Sequence, residues 1–145
     1  MYLLDANTYI QAKNSYYNMA FCPAYWDWLD QQAELRQVGS ISEVYDELVC
    51  GSDELAEWVK GRRDHFIPTV SDDIQGAMGD VANYVMSLPS KTQSNIDIFL
   101  AKADPWLIAS AVVEGHILVT HEVWQDPNSK KVKIPIFVII SESGI

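Results

Sequence analysis

Four acidic side chains stand where the surrounding pattern could give them chemistry. Asp5 follows the apolar run Tyr2-Leu3-Leu4, Glu47 lies in ISEVYDELVCG, Asp104 opens DPWLIASAVVEG, and Glu122 stands two residues beyond HILVT. Each has an ordinary explanation. Asp5 or Asn7 can cap the next helix, and Asp104 before Pro105 is a good N-cap with proline at the first helical position. Glu47 can serve a structural ion pair, and Glu122 can be another cap or a surface acid. Position argues for more. In an open parallel sheet, ligands bind outside the carboxyl ends of the strands. Asp5 and Glu122 both sit just past such ends. At about 100° per residue, Ile41, Val44, Tyr45 and Leu48 form one apolar stripe, with Glu43 and Asp46 pointing to solvent and Glu47 on the stripe's edge. Asp104 shares the buried stripe of Leu107, Ile108 and Ala111, so it can cap a helix and face a site at once.

Two strand ends and two helix flanks can converge on one crevice. Four carboxylates there repel each other and raise each other's pKa values. A divalent cation relieves that repulsion, and oxygen ligands favour Mg²⁺ or Mn²⁺ over zinc. The matching chemistry is metal-assisted attack of water on a phosphodiester. His65, His116 and His121 have no zinc-ligand spacing. His116 opens a strand and reads as structural, while His121, beside Glu122, is placed to touch the site. Trp26 and Trp58 read as packing residues. Trp106 and Trp124 flank the acids and are the better candidates for contact with a substrate or partner. Aspartate-nucleophile phosphatases also place an acid after their first strand, as Asp-x-Asp-x-Thr. Here Asn7 replaces the second Asp, the Thr comes early at position 8, and there is no Gly-rich phosphate loop.

The elements that must position these acids are readable from periodicity and punctuation. Tyr2 to Leu4 predicts a short buried strand, and residues 7 to 19 have mixed helical character. Pro23 starts a helix through Tyr25, Trp26 and Leu29. Gln37 to Ile41 predicts a strand, followed by a helix capped by Ser42 and closed near Cys50 and Gly51. Ser52 or Asp53 restarts a helix to about Arg63. Ser71 to Asp73 cap a helix over 74–88, broken by Pro89 and Ser90, and another spans 92–101. The helix from Asp104 stops near Gly115. His116 to Thr120 predicts a strand, 126–133 a polar loop, and Ile134 to Ile140 the most apolar strand. Short apolar strands alternating with helices predict an α/β fold, three-layer α/β/α around a short, mostly parallel sheet.

The totals agree with one domain over residues 1–145. Apolar residues make up 48%, ordinary for a globular chain. Cys22 and Cys50 are too few for a disulfide framework. No leader is visible and no run approaches the roughly 18 apolar residues of a membrane span, so the expectation is a cytoplasmic protein with no membrane partner. The net charge of −10 argues against sequence-blind binding to a phosphate backbone. Arg62-Arg63 and the group Lys130, Lys131 and Lys133 are the basic clusters available to a nucleic acid. Each reads more readily as a solvated loop or helix end.

The motifs resemble a PIN domain, the metal-dependent ribonuclease fold of bacterial toxin–antitoxin toxins. LLDANTYI resembles that family's opening strand and first acid. ISEVYDELVCG resembles its Glu-Leu-x-x-Gly segment and selects Glu47. ADPWLIASAVVEGHILVTHE resembles its Asp-x-x-Ile-Ala-x-Ala helix, the Gly that ends it, and the Leu-Val-Thr strand followed by an acid. The likeness covers both ends of the chain and the order of elements between them, whereas residues 53–102 carry no matching motif. Glu122 departs from the pattern, because the family commonly has Asp there. The pattern is nearer to a PIN-like subgroup of bacterial proteins. The resemblance implies an Mg²⁺- or Mn²⁺-dependent endoribonuclease with Asp5, Glu47, Asp104 and Glu122 as catalytic and metal-holding residues. Asn7 and Thr8 would support Asp5 or touch substrate. It further implies an RNA substrate, an antitoxin partner and a homodimer. The alternative is a catalytically silent PIN-like protein that acts by binding a partner.

Overall fold

The structure is a computed structural model and describes residues 1–122 and 128–134. Its order is β1 (Tyr2–Leu4), α1 (Ala6–Gln11), a π-helical turn (Ala12–Tyr16), α2 (Pro23–Glu34), β2 (Val38–Ile41), α3 (Ser42–Val49) and α4 (Glu54–Lys60). A 3-10 turn (Arg63–His65) then leads into β3 (Phe66–Ile67), α5 (Asp72–Met86), α6 (Gln93–Leu100), α7 (Asp104–Glu114) and β4 (Ile117–Val119). The four strands form one sheet in the order β3-β2-β1-β4, every pair parallel, with helices on both sides. The architecture is three-layer α/β/α, and the sheet is parallel throughout the described residues.

Register places Leu3 opposite Gly39 on one side and Leu118 on the other. Leu3 is fully buried, as a central parallel strand requires. Gly39 leaves room for close passage: a Cβ there would stand 3.0 Å from the His65 carbonyl oxygen. The main core joins Leu3, Leu4 and Ile41 of the sheet to Tyr9, Trp26, Leu29, Val44, Leu48, Val59 and Leu107. A second cluster, Val81, Val85, Ile96, Phe99 and Ile108, binds α5 and α6 to α7 and takes in Val132 and Ile134. No helix among the described residues is long and apolar enough to cross a membrane.

Local chemistry explains most boundaries. Asp53, Ser71 and Thr92 each accept a backbone N–H three residues ahead and so start α4, α5 and α6. Gly115 ends α7 in the left-handed conformation, φ +71°, that glycine adopts without strain. Four details depart from expectation. Ser42 is the first residue of α3 and not its cap; Ile41 holds that place and Ser42 Oγ donates to Glu43 instead. Asp104 is likewise the first helical residue of α7, behind Ala103. The helix after Asp53 stops at Lys60, and the following segment adds the two-residue strand β3 to the sheet edge. Two residues are too few to show a period. The strand expected over Ile134 to Ile140 lies outside the described residues except for Ile134, which is buried.

Candidate functional site

In this sheet β2 and β3 extend to one side of β1, while β4 lies on the other. The chain therefore reverses its direction of progress between β1 and β4, and the carboxyl ends of those two strands frame the crevice where open α/β sheets bind ligands. Asp5 follows β1, and Thr120, His121 and Glu122 follow β4.

Asp5 is only 2% exposed, yet its carboxylate is fully engaged. The Thr8 amide donates to Oδ1 at 2.8 Å and the Thr8 hydroxyl to the same oxygen at 2.6 Å. The Thr120 hydroxyl donates to Oδ2 at 2.6 Å. Asp5 is thus the N-cap of α1 and a member of the acid group together. Thr120 Oγ1 also accepts the Glu122 amide at 3.0 Å, so one hydroxyl connects the first acid to the loop bearing the last.

Glu47 reaches from α3 to α7, where its Oε1 accepts the Ala103 amide at 2.7 Å. That bond satisfies a backbone donor at the start of a helix, and a carboxylate there also suits the helix dipole. Glu122 Oε2 accepts the Ile134 amide at 2.7 Å, tying the segment after β4 to residues 128–134. Asp104 is half-buried, and nothing donates to its carboxylate among the described residues. Its pKa is pushed up to about 7, first by burial and then by the negative charges of Glu122, Asp5 and Glu47, with Lys102 opposing weakly. Asp104 therefore lies close enough to feel the charge of the other three expected acids.

Asn7 is exposed on α1 and bonds none of these acids; Thr8 does the positioning. Glu43, expected in solvent, instead accepts the hydroxyl of buried Thr69 and that of Ser42. Arg62 is committed to the fold: its guanidinium makes two bonds to Asp30, at 2.6 and 3.0 Å, and lies over the Trp58 ring. Arg63 lies over the Tyr45 ring beside a hollow at the ends of β2 and β3. Lys130 and Lys131 are exposed and Lys133 half-buried. Trp26 and Trp58 belong to the core region, as expected, and Trp124 lies outside the described residues. Thr120 is the residue that sequence reasoning passed over. Its signal was a hydroxyl at the end of a β-branched strand, two residues before an acid.

The donor chemistry suits Mg²⁺ or Mn²⁺: oxygen atoms, excess negative charge, and one carboxylate raised by burial and by its neighbours. Among the described residues, Glu47, Asp104 and Glu122 each keep at least one oxygen without a hydrogen bond. Among the described residues, however, no three His, Cys, Asp or Glu side chains form a ready-made metal cage. Glu47 and Glu122 are turned toward backbone amides.

Fold and site together define an α/β protein with a carboxylate-rich crevice at its topological switch point. The chain belongs to the family described as Domain of unknown function (DUF4411), which it matches over residues 2–141. Comparison with curated proteins and with solved structures found no match.

Proposed function

We propose that this chain is a PIN-like, Mg²⁺- or Mn²⁺-dependent endoribonuclease, the toxin of a toxin–antitoxin pair. The observation that carries the reading is that Asp104 is partly buried within reach of the charges of Glu122, Asp5 and Glu47, beside the carboxyl ends of β1 and β4. Negative charge concentrated there has no compensating cation on the described chain beyond a weak contribution from Lys102. Asp5, Glu47 and Asp104 would hold the ion and Glu122 would assist, with Asp5 positioned by Thr8 and Thr120. When bound, the ion activates water and stabilises the leaving oxygen of a phosphodiester. The chain's own part is positional. Asp5 cannot swing, because both its oxygens are held. Burial of Asp104 strengthens its response to nearby charge. An antitoxin protein and a homodimer belong to the same reading.

The test is cleavage of single-stranded RNA by purified protein with Mn²⁺. Asp104→Ala should lower the rate at least about 100-fold, as expected for removing a metal-holding group. An unchanged rate sinks the assignment. A second reading, a silent PIN-like protein that binds a partner, is favoured by the absence of a ready-made cage among the described residues. It requires no thermal response to Mn²⁺.

A further inference from the structure

Beside the acid group, α3 and the α6–α7 connection flank an open groove of about 300 Å³. Glu43, Asp46, Glu47 and Cys50 line one wall, at the i, i+3, i+4 and i+7 spacing that puts residues on one helix face. Lys102 and Trp106 line the other. Glu47 belongs to both the groove and the acid group, so whatever fills the groove abuts the crevice.

We propose that this groove seats a guanine base next to the scissile phosphodiester, making single-stranded RNA with an unpaired guanine the preferred substrate. The inference rests on the ribonuclease reading. Three carboxylates on one wall repel phosphate, so a neutral group with outward N–H bonds fits better. Trp106, half-buried against the main core, offers a fixed aromatic surface of the kind on which unpaired bases stack. Two of the three carboxylates are occupied: Glu43 by Thr69 and Ser42, and Glu47, through one oxygen, by the Ala103 amide. Asp46 is exposed, and its side chain has no hydrogen-bond partner among the described residues. A single carboxylate can take both N1–H and N2–H of guanine in parallel. Uracil sets two carbonyl oxygens beside its one N–H, and adenine and cytosine set a ring acceptor beside their amino group, so a carboxylate repels part of each edge. A duplex hides these edges, hence the requirement for a single strand.

Two measurements test this. In the first, short RNAs differing in one base are cleaved with Mn²⁺. The expected result is cutting beside guanine, a KM about tenfold higher in Trp106→Leu with a smaller change in kcat, and equal cutting at all bases in Asp46→Asn. Asp104-dependent cutting whose base preference ignores both variants overturns the groove and leaves the ribonuclease standing. In the second, free guanosine and uridine are titrated into the whole protein. The Trp106 indole N–H resonance, assigned by its loss in Trp106→Phe, is followed by NMR. It should shift with guanosine, not with uridine, and not in Asp46→Asn. This readout needs no cleavage and no metal, and the absence of a guanosine shift overturns the proposal even if RNA is cut.

Discussion

Asp5 and Asp104 each stand at the start of a helix, and the structure treats them in opposite ways. Asp5 receives three hydrogen bonds from two threonines and is nearly sealed from solvent. Asp104 receives none among the described residues and is pressed by three other acids. The helix start behind Asp104 is served by Glu47 from α3, 56 residues away in sequence. A distant side chain has taken over the local capping task and left Asp104 uncommitted. The contrast separates an acid locked into the crevice by hydrogen bonds from one that burial and neighbouring carboxylates press toward the neutral form.

The strongest way to break that contrast is to remove Asp5. Asp5→Ala leaves the buried Thr8 hydroxyl and amide and the Thr120 hydroxyl without their acceptor, at a cost of about 3 kcal/mol. Urea denaturation should show the midpoint falling with an unchanged slope. If Asp5→Ala is as stable as the parent, Asp5 has no structural role. Next comes the cation. Mn²⁺ at roughly 100 times its Kd should stabilise the fold by about 2.7 kcal/mol, read as a rise in Tm, and Asp104→Ala should lose that rise. The third effect has the opposite sign to Asp5→Ala. Burial and neighbouring acids hold Asp104 near 7, above the unfolded value of 3.8. Between those values the folded state binds the extra proton, so metal-free stability falls as pH climbs from about 4 to about 7 and levels off above it. Asp104→Asn removes the penalised charge and should raise the metal-free Tm at pH 8 by roughly 3–8 °C, for about 1–2 kcal/mol, with little change at pH 4. A drop at pH 8 would contradict the charge account. Smallest is the borrowed cap: Glu47→Ala should cost about 1 kcal/mol in thermal unfolding, and Glu47→Gln, which keeps an acceptor oxygen, should recover most of it.

Local rules went far here. Apolar runs located β1, β2 and β4, and Asp53, Ser71 and Thr92 marked helix starts because a cap and the amide it serves lie three residues apart. Strand-end logic picked out Asp5 and Glu122 for the same reason: one strand and the few residues after it suffice. What was illegible depended on partners remote in sequence. Glu47's bond to Ala103, Thr120's to Asp5 and Glu43's to Thr69 join elements that only the finished packing brings together. Two-residue β3 is a strand because β2 lies beside it, and its own sequence carries no period.

The strand order carries a consequence for how the molecule comes into being. β1 leaves the ribosome before β2, β3 and β4, yet one of its two neighbours is β4, made more than a hundred residues later. At about 5–20 residues per second, Asp5 waits on the order of 10 s for Thr120 and Glu122. Until then the central strand has an open edge and the crevice has one wall. Whatever the crevice does, a half-made chain cannot yet do it.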